Sequence, residues 1–372
     1  MTWDCPQTIE DAMWRSAKAH LSEHALKRSR LLQSIVDRTL LYTTKRQELS
    51  VEKIHDDGDV AARALFFALA DVPKMFYVLD ELSADQKPKS ELRVLDLGSG
   101  AGTLTFALAH FFKDRGVSIE STMVEREQKI AKVAKGASEN LFAEEKHLNC
   151  RFITKDLNAF EPQGTFDFIL MGTVLNELSE DLQKKVLKKS FDALGANGHL
   201  IVIEPALKKP SRRLHALRDW IVSDCGGHVF APCTHSNAQC PMLLAERDWC
   251  HEDLRSVHPE ITQQLSRATG LREDGLKFSY LVVQKDSVNC ADGLANPMRV
   301  VSRPQKSKVG NTFWGCGEGG LSRIRLSKKS RTSKNKILGK LKRGNVFSLG
   351  KDIESDSYEL SNSDVVSTIQ ND

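Results

Sequence analysis

Two groups of residues in this chain can do chemistry. The first is Asp96-Leu97-Gly98-Ser99-Gly100-Ala101-Gly102. A short apolar run with one acid breaks into alternating glycines and resumes at Thr103-Leu104-Thr105, which reads as buried strand, tight turn and helix start. Glycines there let the backbone pass close to a ligand, and the free N–H groups of a helix start favour an anionic group. The spacing is G-x-G-x-G, one residue shorter than the G-x-G-x-x-G of dinucleotide-binding turns. The second group is Cys233, Cys240 and Cys250, separated by six and nine residues, with Pro232 and Pro241 beside two of them. Prolines suit turns that direct thiolates inward. The spacing differs from the C-x-x-C pairs of zinc ribbons, and soft thiolates suit zinc and iron–sulfur centres alike. The plain alternative is a set of free cysteines.

These groups need elements to position them. From Glu91 to about Ala206 the sequence alternates strand and helix, as in a parallel sheet covered by helices. The strands are expected at Arg93–Leu97, Ser118–Glu125, Arg151–Leu157, Phe166–Gly172 and His199–Pro205, with Leu276–Gln284 completing the sheet. With Asp96 two residues before Gly98, the turn resembles the first motif of Rossmann-like methyltransferases that bind S-adenosylmethionine. In that setting Glu125, ending the second strand, is placed to accept hydrogen bonds from both ribose hydroxyls. Asp156, ending the third, is placed to meet an adenine amino group. These acids and Gly98, Gly100 and Gly102 all fall at carboxyl ends of strands, where open α/β sheets bind ligands. After the fourth strand there is neither an Asn/Asp-Pro-Pro-Tyr segment nor a Pro-Cys nucleophile. Asn176 and Glu177 can orient a substrate or cap a helix, and the sequence names no catalytic base.

The 372 residues, 27% charged and 40% hydrophobic, suit a soluble chain of two or three domains. No apolar run approaches a membrane span of roughly 18 residues, and Met1–Pro6 lacks a secretory pattern. The eight cysteines are therefore expected in a reducing compartment, where metal binding outranks disulfides. Residues 1–85 read as a helical N-terminal region, with a helical patch Ala61–Ala70 ending near Pro73 and a solvated basic face between Lys27 and Lys53. Residues 86–285 read as the main domain with a Cys-rich insertion at about 222–256. Residues 286–343 read as a small basic β module, and 344–372 as a disordered tail, acidic and Ser-rich from Asp352. The net charge is only +4, but Arg323–Arg343 holds ten Lys or Arg and no acid, a plausible phosphate surface or a solvated tail.

Beyond the glycine turn, further pieces resemble the methyltransferase-like small-ribosomal-subunit protein family, which comprises mitochondrial ribosome assembly factors and their bacterial relatives. They are Ala61, Arg63 and Ala64 through Pro73, Val174–Leu178, Ala231-Pro232-Cys233-Thr234-His235, Cys240-Pro241, Asp248-Trp249-Cys250, Lys277–Tyr280, Arg299-Val300, Arg303-Pro304 and Cys316. Thr234 stands where the family reads proline. The resemblance implies a 4Fe-4S cluster on Cys233, Cys240, Cys250 and a fourth cysteine, for which Cys316 fits better than Cys290; zinc is the alternative. It also implies binding to the small ribosomal subunit or its rRNA, in a bacterial cytoplasm or the mitochondrial matrix. The chain is expected to be a monomer with no membrane partner. Methyl transfer stays open, because the fold also serves binding alone. The other readings are a non-catalytic assembly factor of the same fold and a small-molecule methyltransferase with a structural zinc.

Overall fold

A computed structural model describes residues 3–43, 56–82, 89–141, 147–236, 239–273 and 275–369. The chain divides into two compact units: Met1–Gly198 with Leu254–Leu276, and His199–Asp253 with Lys277–Asp372. No helix among the described residues is long and apolar enough to cross a membrane.

The first unit opens with helices α1 (Gln7–His20), α2 (Glu23–Leu26), α3 (Arg28–Thr43) and α4 (Asp57–Ala62), a π-helical stretch Arg63–Ala68, and α5 (Leu69–Leu82). The helical patch therefore does not stop near Pro73, which lies inside α5. It is the fifth residue of α5, one turn beyond the π-helical stretch. The Glu10 carboxylate on α1 is buried and accepts from the Ile261 and Thr262 N–H groups and from Thr262 Oγ1, capping the helix Glu260–Thr269.

The sheet of this unit contains β1 (Glu91–Leu97), β2 (Ser118–Glu125), β3 (Leu148–Thr154) and β4 (Phe166–Gly172), joined by α6 (Thr103–Lys113) and α7 (Gln128–Leu141). The strands run parallel in the order β3-β2-β1-β4, with Val94 opposite both Ser121 of β2 and Phe168 of β4. Strands buried on both faces read as unbroken apolar runs, which is why Val94, Leu95, Ile169 and Leu170 are fully enclosed. After α8 (Glu180–Asp192) comes β5 (Leu194–Pro205), whose start lies beside β4 through the Phe166 N–H to Ala193 carbonyl bond. The order reverses at β1, so the turn leaving β1 opens at the topological switch point of a Rossmann-like α/β sheet.

The second unit takes β5 from His199 onward, α9 (Lys208–Cys225), β6 (His228–Ala231), β7 (Glu252–Leu254) and β8 (Leu276–Gln284). β8 runs antiparallel to both β5 and β6. A separate seven-stranded sheet follows: β9 (Pro297–Val300), β10 (Gln305–Lys306), β11 (Gly310–Gly317), β12 (Gly320–Ser327), β13 (Val346–Ser348), β14 (Ser357–Glu359) and β15 (Ser367–Thr368). Its core gathers Val300, Phe313, Ile324, Phe347, Ile353 and Leu360. The segment expected as a disordered tail thus supplies three strands and part of a core. Its apolar residues are sparse, yet Phe347, Ile353, Leu360 and Val366 are buried in this core, where β13 pairs with β9 and β14 with β12.

Candidate functional site

The glycine turn is fixed before any ligand arrives. The Gly98 and Ser99 N–H groups donate to the Val124 carbonyl on β2, and the Gly102 N–H donates to the Ser99 carbonyl. Each glycine answers a different demand. Gly98 has φ +66° and a Cβ there would come within 2.4 Å of Val174; Gly102 has φ +89° and a Cβ would come within 2.6 Å of Phe106. A Cβ on Gly100 would meet only the Gly98 carbonyl, at 4.0 Å, so the space over Gly100 is open. The Ser99 hydroxyl beside it is buried and has no hydrogen-bond partner among the described residues. Open space and an orphaned hydroxyl at a helix start fit a bound polar ligand.

The proposed acids take three different positions. Asp96, 2% exposed, accepts a 2.7 Å bond from Thr105 Oγ1 and so ties β1 to α6. Burial pushes its pKa up to about 7, with the Thr105 bond opposing and Glu125 adding. Glu125 accepts from the Gly100 N–H at 3.0 Å and from the Glu127 N–H at 2.9 Å, so its carboxylate is drawn onto the turn. Asp156 is exposed and accepts from the Asn158 N–H; the neighbouring Lys155 N–H donates to the Glu125 carbonyl, which puts the two strand ends side by side.

Around this turn lies an ionic network that the sequence did not announce. Arg63 bridges Asp59 and Glu127, and Arg38 reaches Asp59 at 3.2 Å. Arg38 is only 5% exposed and lies over the Tyr42 ring, so it does not belong to the solvated face expected between Lys27 and Lys53. The rest of that face, from residue 44 on, lies outside the described residues. Glu177, in the short turn after β4, faces Arg126 at 3.9 Å; burial raises its pKa while Arg38, Arg126 and Arg63 oppose the rise. Thr173 just before it holds φ 57°, an unusual value for a β-branched residue. The sequence signal for Arg38 was its spacing of seven and three residues from Leu31 and Ile35, which lie on the buried face of α3.

In the second unit, Cys233, Cys240, Cys250 and Cys316 line one cavity with Pro232 and Tyr280 among its walls. All eight cysteines are free thiols. Cys290 is not among the lining residues; its Sγ lies 3.2 Å from an Arg299 nitrogen. Burial first, then mutual repulsion, raises the pKa of Cys240 to about 12 and those of Cys250 and Cys316 well up. Buried thiols raised further by their thiol neighbours, as those of Cys240, Cys250 and Cys316 are, suit a cationic centre, which favours the thiolate form. They stand around a cavity: among the described residues no three His, Cys, Asp or Glu side chains form a group that could hold a metal ion.

One face of α9 organises this loop. Arg212 Nη1 donates to the carbonyls of Met242, Ala245 and Asp248. His215 Nε2 accepts the Cys250 N–H at 2.9 Å, and burial holds this imidazole down to about 4 and neutral. Asp219 accepts the Cys240 N–H, while Arg218 spans Asp219 and the His235 carbonyl. Burial opposes the Arg218 charge, but the Cys233 and Cys240 thiols and Asp219 outweigh it and raise its pKa. The spacing 212, 215, 218/219 is helical and lay in the sequence, but its partners are backbone groups with no sequence signature. Thr234 Oγ1 donates to the Pro297 carbonyl, a tie that a proline at this position cannot make.

The family described as mitochondrial small ribosomal subunit Rsm22 matches residues 59–355. No curated protein sequence matches the chain. Among solved structures, the chain is similar to magnesium protoporphyrin IX methyltransferase from Synechocystis with bound SAM, at 16% identity, 68% of this chain, 97% of that chain and a TM-score of 0.39. It is also similar to a SAM-dependent methyltransferase from Leishmania major, at 13% identity over 74% and 91% of the two chains, TM-score 0.40. A third is a putative class I S-adenosylmethionine-dependent methyltransferase from Listeria monocytogenes, at 10% identity over 72% and 93%, TM-score 0.38.

Proposed function

Because the chain belongs to the Rsm22 family of the mitochondrial small ribosomal subunit, we propose that it is an S-adenosylmethionine-binding, methyltransferase-like factor that acts on the small ribosomal subunit or its rRNA. The observation that carries the cofactor reading is the open space over Gly100 beside the unpartnered Ser99 hydroxyl. Gly98, Gly100 and Gly102 form the cradle, Glu125 takes the ribose, Asp156 meets the adenine from the neighbouring strand end, and Asp96 holds the turn to α6. When bound, the cofactor supplies a sulfonium methyl whose leaving group is neutral. The protein then needs to position the acceptor atom more than to move a proton. The family name favours a ribosomal substrate over a small molecule, and the mitochondrial matrix as the place of action.

The same reading gives the cysteine cavity a 4Fe-4S cluster held by Cys233, Cys240, Cys250 and Cys316. Four cysteines are the usual complement of such a cluster, and these four thiols around one cavity would hold it. Its contribution is structural: bound metal stabilises the fold by joining the loop of residues 233–250 to β11. A single zinc on the same thiols is the competing occupant.

Calorimetric titration of the purified protein with S-adenosylmethionine tests the first half; no heat of binding, from a folded protein, overturns it. Transfer of labelled methyl groups to small ribosomal subunits lacking this factor separates an enzyme from an assembly factor that only binds.

A further inference from the structure

We propose that the outward face of β11 and β12, centred on Trp314, is a stacking platform for an unpaired base of single-stranded RNA. In β11 the residues alternate: Phe313, Gly315 and Gly317 are buried, and Thr312, Trp314 and Cys316 turn to the other face. The antiparallel register sets Trp314 opposite Arg323 and Thr312 opposite Arg325. Directly paired residues point to the same side of a sheet, so the indole and two guanidinium groups share one face.

Trp314 is 41% exposed, far more than a core tryptophan, and no ring or cation of the described residues covers it. Its position is firm because the backbone on both sides is held: its N–H donates to Ser302 Oγ at 2.8 Å and its carbonyl accepts from the Val301 N–H. The surroundings are cationic. Arg323 is exposed, and the Arg303 side chain is 78% exposed. Two carboxylates enter the neighbourhood, each 3.9 Å from an arginine: Glu359 by Arg325 and Asp253 by Arg303. Arg323 is therefore the cation beside the indole that is left for a phosphate.

A lone, rigid, exposed indole among guanidinium groups suits a planar aromatic ligand that carries negative charge. A nucleotide is such a ligand, and base stacking on an aromatic side chain is tolerant of sequence. A duplex hides its base faces, so the strand must be single. The inference rests on the RNA-partner reading above and names the state of the RNA that the β module takes.

The test uses the full chain, a fluorescein-labelled single-stranded RNA dodecamer of mixed sequence, the matching duplex, and a salt series. Trp314→Ala should weaken single-strand binding about tenfold, as the loss of one base stack predicts, without changing the salt slope. Trp314→Phe should keep most of the affinity. Arg323→Ala should reduce the steepness of log K against log salt by about 0.7, the value for one phosphate contact on a single strand. Parent-like affinity in Trp314→Ala, or equal weakening on the duplex, overturns the platform and leaves the RNA-partner reading standing. No binding of either RNA by the parent chain overturns both. Displacement of the RNA by polyglutamate as effectively as by unlabelled RNA reassigns the face to an acidic protein and overturns the proposal.

Discussion

The glycine turn and the cysteine cavity are built in opposite ways. The turn is a backbone site: its shape comes from three glycines, and its donors are main-chain N–H groups already aimed at Val124, Ser99 and Glu125. The cavity is a side-chain site, with thiols from positions 233, 240, 250 and 316. It lacks a shape of its own until the face of α9 holds the loop. A backbone site thus exists as soon as its sheet does, whereas a side-chain site assembled from distant segments depends on something binding them together.

That contrast is sharpest under substitution of the thiols. Cys250→Ser or Cys316→Ser should abolish metal binding and destabilise the second unit by several kcal/mol, on the order expected when a structural metal is lost. Metal analysis of anaerobically purified protein checks it: about four iron and four sulfide per chain in the parent, none in the variant. One zinc per colourless chain would replace the cluster by an ion, and full metal in Cys316→Ser would break the ligand set. Cys5→Ser, Cys150→Ser and Cys225→Ser should keep the metal, because those thiols do not line the cavity.

Substitution within the turn should divide along a different line. Gly102→Val meets both a positive φ and the Phe106 ring, and should cost about 3 kcal/mol or more of stability. Gly100→Val also takes a positive φ, +52°, but its Cβ meets nothing closer than 4.0 Å, so the fold should tolerate it better than Gly102→Val while S-adenosylmethionine binding weakens by about 1–3 kcal/mol. Urea unfolding and calorimetry read the two effects separately. Equal affinity in Gly100→Val and the parent would empty the turn of its proposed ligand.

The smallest effect is a difference in pH response. Burial lifts Asp96 to about 7, so its stabilising contribution is full below the unfolded value of 3.8 and is lost as pH rises through 7. His199, against the Phe230 ring in the second unit, is pushed down by burial to about 4; its contribution is full above 6.5 and is lost as pH falls through 4. Each changes stability by at most about 1.4 kcal/mol per pH unit within its window. Asp96→Asn should therefore gain on the parent from pH 4 to 7, and His199→Phe from pH 6.5 down to 4, in urea midpoints taken at half-unit steps. Parallel curves for either variant and the parent would remove that group from the account.

The sequence spoke most clearly where structure is local. Ser118–Glu125, Phe166–Gly172 and Leu276–Gln284 have the bounds read from their apolar runs, because a fully buried strand needs no partner information to look like one. The glycine turn was equally plain, being seven consecutive residues. What stayed hidden depended on distant contacts. Arg38 counts as a surface cation until Asp59 is placed beside it. Residues 344–369 look unstructured, since Phe347, Ile353 and Leu360 are isolated apolar residues until β9 and β12 bury them. The holding role of His215 and Asp219 was invisible because both bond to main-chain N–H groups of cysteines, which every residue type possesses.

The alternation along β11 also has an optical consequence. Trp314 and Cys316 lie two residues apart on one face, and Trp249 precedes Cys250 directly. Two of the five tryptophans are thus within about 7 Å of backbone from a thiol of the cavity. An absorbing iron–sulfur chromophore there would take up their excitation energy, so the emission of the intact chain would dim as the cavity fills and brighten as it empties. Such a cluster would make these tryptophans a gauge of occupancy, read without an added label.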